Sequence, residues 1–131
     1  MKTIKLITKI NAPIQKVFDL SRSIDIHQAS LNQSHEKVIG GRTSGLIEKG
    51  ETVTFRGKHF GIYLNHKSRI TEMESPNYFV DDMIEGCFKS FHHEHTFVEK
   101  NGKTVMIDLL EYQTPFEFLA KFLTDAFSKN I

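Results

Sequence analysis

The chain has no tryptophan and a single cysteine, Cys87, among its 131 residues. One thiol cannot close an internal disulfide, so the core must hold without covalent staples, which one domain of this length can do. Its three prolines fall at Pro13, Pro76 and Pro115, where they punctuate elements rather than interrupt them. No apolar run approaches the roughly 18 residues needed to span a bilayer. The first eight residues alternate instead of forming the apolar stretch of a signal peptide. A cytoplasmic location is therefore expected, and the sequon Asn32-Gln33-Ser34 has no expected role. Charge of one sign is missing too. Seventeen basic and sixteen acidic residues leave a formal charge of +1, which gives no electrostatic case for nucleic acid or an acidic membrane surface. Repeats and low-complexity segments are absent. Gly41-Arg42-Thr43-Ser44-Gly45 is neither a serine elbow nor a phosphate loop. Ser44 lacks glycine at both −2 and +2, and the run has no lysine and precedes a strand.

What is present is phenylalanine, eleven times, in an otherwise ordinary globular composition of 39% apolar and 25% charged residues. Alternation predicts a strand over 3–10, with Ile4, Leu6, Thr8 and Ile10 on one face. Pro13 suits the first position of a helix over 13–21 carrying Ile14, Val17, Phe18 and Leu20. Ser23 can cap a second helix, 24–31. Every later signal up to 113 is strand: 36–40, 51–59, a long one over 62–73, then the run 76–97, and finally 104–113. Asn101-Gly102 marks a tight hairpin before the last of these. Thr114 and Pro115 open a closing amphipathic helix, 115–129, whose apolar stripe includes Phe116, Leu119, Phe122 and Leu123.

The run 76–97 carries the chemistry. It reads as two strands joined through Glu85-Gly86-Cys87-Phe88. Alternation groups Phe91, His93, His95 and Phe97 on one face of the second strand and His92, Glu94 and Thr96 on the other. Phe79, Asp81 and Met83 share a face of the first strand. An inward Asp81 needs a partner, and His93 or His95 on the adjacent strand is the obvious one. A strand His-x-His pair with a third ligand nearby, Asp81 or His59, can also hold a metal. Hydrogen-bonded histidines at the polar end of an apolar cavity are the stronger expectation, so neither metal nor cofactor is expected and no residue is assigned as catalytic.

Strand, two short helices, about six antiparallel strands and a last helix form an α+β architecture: a curved sheet of about seven strands wrapped around a C-terminal helix with a cavity between. Four stretches give it a likeness. They are Ile10-Asn11-Ala12-Pro13-Ile14-Gln15-Lys16-Val17-Phe18, Lys58-His59-Phe60-Gly61-Ile62, the run 70–81 through Ser75-Pro76 to Phe79-Val80-Asp81, and the run 86–97. In these the chain resembles the START-like, helix-grip superfamily called SRPBCC. It is similar there to small bacterial cyclase/dehydrase-like and ubiquinone-binding proteins and to the START-like segment of "cell division inhibitor" proteins. The resemblance spans nearly the whole chain as a single domain, 1–131. It departs where relatives place tryptophans near Phe55 and Phe91. Relatives also run further past the closing helix, so the resemblance implies a short grip that a second copy of the chain could complete as a homodimer.

The resemblance implies binding of a hydrophobic or aromatic small molecule, lipid-, quinone- or polyketide-like, between sheet and last helix. Phe55, Phe79, Met83, Phe91, Phe97, Phe118 and Phe122 would form the wall, and His59, Asp81, His93 and His95 would orient a polar group. A cyclase or dehydratase using His/Asp acid–base chemistry in the same cavity, and a regulatory protein-binding module, are the alternatives.

Overall fold

Period-two alternation makes strands of most of the chain, and in the computed structural model they meet in one sheet. Residues 1–31, 35–59 and 61–115 are described, residue 59 by its backbone alone. The strands are β1 (Lys2–Ile10), β2 (Lys37–Gly41), β3 (Thr52–His59), β4 (Ile62–Glu74), β5 (Tyr78–Glu85), β6 (Ser90–Lys100) and β7 (Lys103–Gln113). The helices α1 (Ile14–Ser21) and α2 (Ile24–Leu31) lie between β1 and β2. The sheet order is β1-β7-β6-β5-β4-β3-β2 with every neighbour antiparallel. From β2 to β7 the chain is a simple meander. β1 closes onto β7 along its whole length, from Lys2 opposite Tyr112 to Ile10 opposite Thr104. The two helices carry the chain from one edge of the sheet to the other. The helix expected over 115–129, with Phe118 and Phe122, lies outside the described residues.

Local chemistry accounts for the corners. Asn101 and Gly102 both take positive φ, 52° and 76°, the mirror-image turn whose twist matches the strands it joins. The Ser23 hydroxyl accepts a hydrogen bond from the Ile26 N–H at 3.3 Å and so caps α2. Pro13, expected as the first helical residue, is the extended cap just before α1. A bulge at Thr71 in β4 and another at Ile84 in β5 bend the two strands across each other. The curvature puts α1 against the inward face.

Two apolar clusters lie on that face. In the first, Phe18 of α1 is fully buried and stands edge-on to Phe79 (5.6 Å between ring centres) and Phe97 (5.4 Å). Val17, Ile24, Ile70 and Val53 complete it, and Phe55 packs beside it. In the second, Phe88, Phe91, Leu110 and Tyr112 gather at the other end of the strands, with Met83 and Leu64 alongside. Burying an aromatic of this size contributes about 1.5–3 kcal/mol, so each cluster anchors its own end of the sheet.

Candidate ligand-binding site

Between the two clusters lies a band of buried polar side chains. Along β6 the inward order is Phe91, His93, His95, Phe97, all buried. Asp81 on β5 lies opposite His93, and Asp108 on β7 lies opposite His95. The hydrogen bonds run along the diagonals of this square. His93 Nε2 meets Asp108 Oδ1 at 2.9 Å, and His95 Nε2 meets Asp81 Oδ2 at 2.7 Å. His95 Nδ1 is 3.2 Å from Asp108 Oδ1, and His93 Nδ1 is 3.8 Å from Asp81 Oδ2. The imidazoles stack on each other at 3.6 Å, and His95 stacks in turn on Phe79 at 4.0 Å. The stack thus hands over directly from polar band to apolar cluster.

The electrostatics follow from that crowding. Burial alone would lower the pKa of His95, but its bonds to Asp108 and Asp81 outweigh burial and raise it to about 8. Burial would raise Asp81; the His95 hydrogen bond and the His93 charge instead hold it down at about 2. Asp108 is likewise held below the usual carboxylate range, because bonds from His93 and His95 overcome its desolvation. His93 is pushed down, first by burial and then by the charge of His95. Two adjacent rings thus have proton affinities driven apart.

The inward grouping of Phe79, Asp81 and Met83 with Phe91, His93, His95 and Phe97 is what alternation implies, and the structure brings these side chains to one face. It divides them, however. Phe79, Phe97 and Phe55 belong with α1 around Phe18, whereas Phe91 and Met83 belong to the other cluster. His59 ends β3 opposite Ile62, with only its backbone described. Phe118 and Phe122 lie outside the described residues. Two residues escaped the sequence reading. Asp108, 1% exposed, bonds both histidines. His66 on β4 stands edge-on to Phe91 at 5.2 Å, and burial lowers its pKa against the pull of Asp81. Asp108 shares a face of β7 with Met106, Leu110 and Tyr112, but the other face is equally apolar, so alternation alone does not mark it as inward.

On the opposite, outward face, His92 Nδ1 meets Asp82 Oδ1 at 2.5 Å and its Nε2 lies 3.3 Å from Glu94 Oε1. The Thr71 hydroxyl donates to Asp82 at 2.7 Å. Burial opposes protonation of His92, but Asp82 and Glu94 raise its pKa. Two sets of side chains could hold a cation: Asp81, His93 and His95 inside, and His92, Glu94 and Glu111 outside. Within each, the ligand atoms lie within 4.8 Å of one another.

No family model and no curated protein matches the chain. Solved structures do match. Ms6760 from Mycobacterium smegmatis superposes with a TM-score of 0.72 at 15% identity, over 98% of this chain and 85% of its own. TTHA0849 from Thermus thermophilus gives 0.69 at 15%, over 98% and 86%. The ginseng major latex-like protein 151 from Panax ginseng gives 0.59 at 16%, over 97% and 94%. The fold is START-like. At such identities the likeness is one of architecture, and a START-like sheet hosts many chemistries, so function must come from the site. Among the described residues no helix is long and apolar enough to cross a membrane.

Proposed function

We propose that the protein binds a hydrophobic or aromatic small molecule, lipid-, quinone- or polyketide-like, against the inward face of its START-like sheet. The observation that carries this reading is the placement of four mutually bonded polar side chains between two apolar clusters: His93, His95 and Asp108 are buried and Asp81 is partly buried. A purely structural core has no need of two carboxylates and two imidazoles at its centre, because burying them costs more than burying apolar groups of the same size. A ligand with an apolar body and one polar group uses both. Its body would lie on Phe91, Met83 and their neighbours. Its polar group would meet the His/Asp band, while Phe55, Phe79 and Phe97 form the filled end beneath α1. The setting in this reading is the cytoplasm. Native mass spectrometry of the protein purified from its host tests it. The expected result is a retained apolar molecule released on unfolding; a bare chain mass together with exclusion of hydrophobic dyes would overturn it.

A second reading draws on the two proton affinities. Side-by-side imidazoles, one raised and one lowered, are what acid–base chemistry at neutral pH requires. As a cyclase or dehydratase, the protein would lose turnover of a polyketide-like substrate in His93→Ala and Asp81→Ala while keeping measurable binding. Unchanged turnover in both variants would exclude this.

A further inference from the structure

We propose that Asp81, His93 and His95 form a binding site for one divalent transition-metal ion of the zinc class, with Asp108 as the carboxylate that orients both imidazoles. The ion would use the same side chains that meet the ligand's polar group, yet its binding needs no such ligand and is tested without one.

The hydrogen bonds already choose the right tautomers. Asp108 Oδ1 lies 2.9 Å from His93 Nε2 and 3.2 Å from His95 Nδ1. An ionised Asp108 accepts from the N–H at both positions. His93 is then left with a lone pair on Nδ1, and His95 exposes one on Nε2 once it gives up the proton it shares with Asp81. Those two nitrogens are the ones that face Asp81 Oδ2, at 3.8 and 2.7 Å. Metal–ligand bonds of about 2.0–2.2 Å at tetrahedral angles set donor atoms about 3.3 Å apart. The two separations from Asp81 straddle that value, and all three donor atoms lie within 4.8 Å of one another, so side-chain adjustment can close them on one ion. The metal would take the place of the proton that Asp81 and His95 share.

The donor set argues for the class of ion. Two imidazoles and one carboxylate suit zinc and its neighbours, whereas calcium and magnesium take oxygen donors throughout. A carboxylate on the far nitrogen of a ligating histidine is the usual support of such sites, and here one carboxylate supports two. Charge agrees. Two carboxylates beside two neutral imidazoles carry two formal negative charges that a divalent ion cancels. Asp108 is 1% exposed, and its Oδ2 makes no hydrogen bond among the described residues, which leaves buried negative charge for a cation to offset. Three protein donors leave one position for water or a bound molecule. The outward set is the poorer candidate: all three of its side chains are only partly buried, so water competes for an ion there, whereas His93 and His95 are buried.

The test uses metal-stripped full-length protein titrated with Zn²⁺ by calorimetry and with Co²⁺ by visible absorption. One equivalent should bind, with the intense Co²⁺ spectrum of a four-coordinate nitrogen/oxygen site, and a large excess of Mg²⁺ or Ca²⁺ should not compete. His93→Ala and Asp81→Asn should each weaken binding at least about 100-fold, Asp108→Asn about 10- to 100-fold, and His92→Ala not at all. Because buried substitutions can unfold the chain, the wild-type protein supplies its own check. Long-range ¹H–¹⁵N spectra should show Zn²⁺ displacing resonances at His93 Nδ1 and His95 Nε2, with the other two ring nitrogens still protonated. Failure of the wild type to bind a stoichiometric ion overturns the proposal. So does loss of the site in His92→Ala, or its survival in folded His93→Ala.

Discussion

His95 is the residue on which most of the site turns. It lies between Asp81 and Asp108, stacked on Phe79 and His93. Its folded pKa is about 8 against an ordinary 6.5. A raised value means that the folded state holds the proton more tightly. The stabilisation is therefore complete below pH 6.5 and is lost as pH rises through about 8. His92, also raised, adds to the same trend, while His93 and His66, both lowered, act only below 6.5. The stability of metal-stripped protein should thus fall between about pH 6.5 and 9. His95→Gln should flatten most of that slope in denaturant titrations. Asp81, depressed to about 2 from 3.8, works at the other end: its contribution is present above 3.8 and lost as pH falls through 2. The His-x-His face and the inward Asp81 were legible from period-two alternation, because β5 and β6 each set polar residues against large apolar ones. Asp108 was not, because β7 is apolar on both faces, Val105, Ile107 and Leu109 on one and Met106, Leu110 and Tyr112 on the other. Only its pairing with β6 shows which face is inward.

At the scale of elements, α1 decides how the inward face is used. Local pattern gives an amphipathic helix but not its docking position, so the division of the phenylalanines into two clusters could not be read from the sequence. Phe18 is the pin. Phe18→Ala should cost about 3–5 kcal/mol in urea unfolding, the usual loss for a buried phenylalanine that leaves a cavity. A loss under about 1 kcal/mol would mean that α1 does not anchor this end. The turns offer a second comparison. Gly41 and Gly102 both have positive φ, so alanine at either costs about 1–2 kcal/mol in backbone strain. A Cβ on Gly102 meets open space, whereas one on Gly41 would lie 2.2 Å from the Thr52 carbonyl oxygen. Gly41→Ala should therefore be clearly the more destabilising of the two, and equal losses would contradict the register at the β2–β3 edge.

Over the whole molecule, the order of elements was the most legible feature. Strand, two helices and an antiparallel meander follow from alternation and turn residues alone, and the pairing of β1 with β7 is the long-range contact that local pattern could not supply. The site lies at the centre of that sheet, flanked by apolar side chains on both sides. A molecule that binds there and not to the unfolded chain raises stability by about 2.7 kcal/mol at a concentration of about 100 Kd, so thermal shift offers a quick screen of lipid-, quinone- and polyketide-like compounds. The most direct measurement is a side-chain NMR titration of ¹⁵N-histidine, ¹³C-methyl protein with 8-anilinonaphthalene-1-sulfonate or any compound that screen selects. Ligand binding at the inward face predicts saturable shifts of the His93 and His95 ring nitrogens together with Met83 and Leu110. Shifts confined to Ile7, Ile107 and Leu109 on the outward face, or none at saturating concentration, would contradict it.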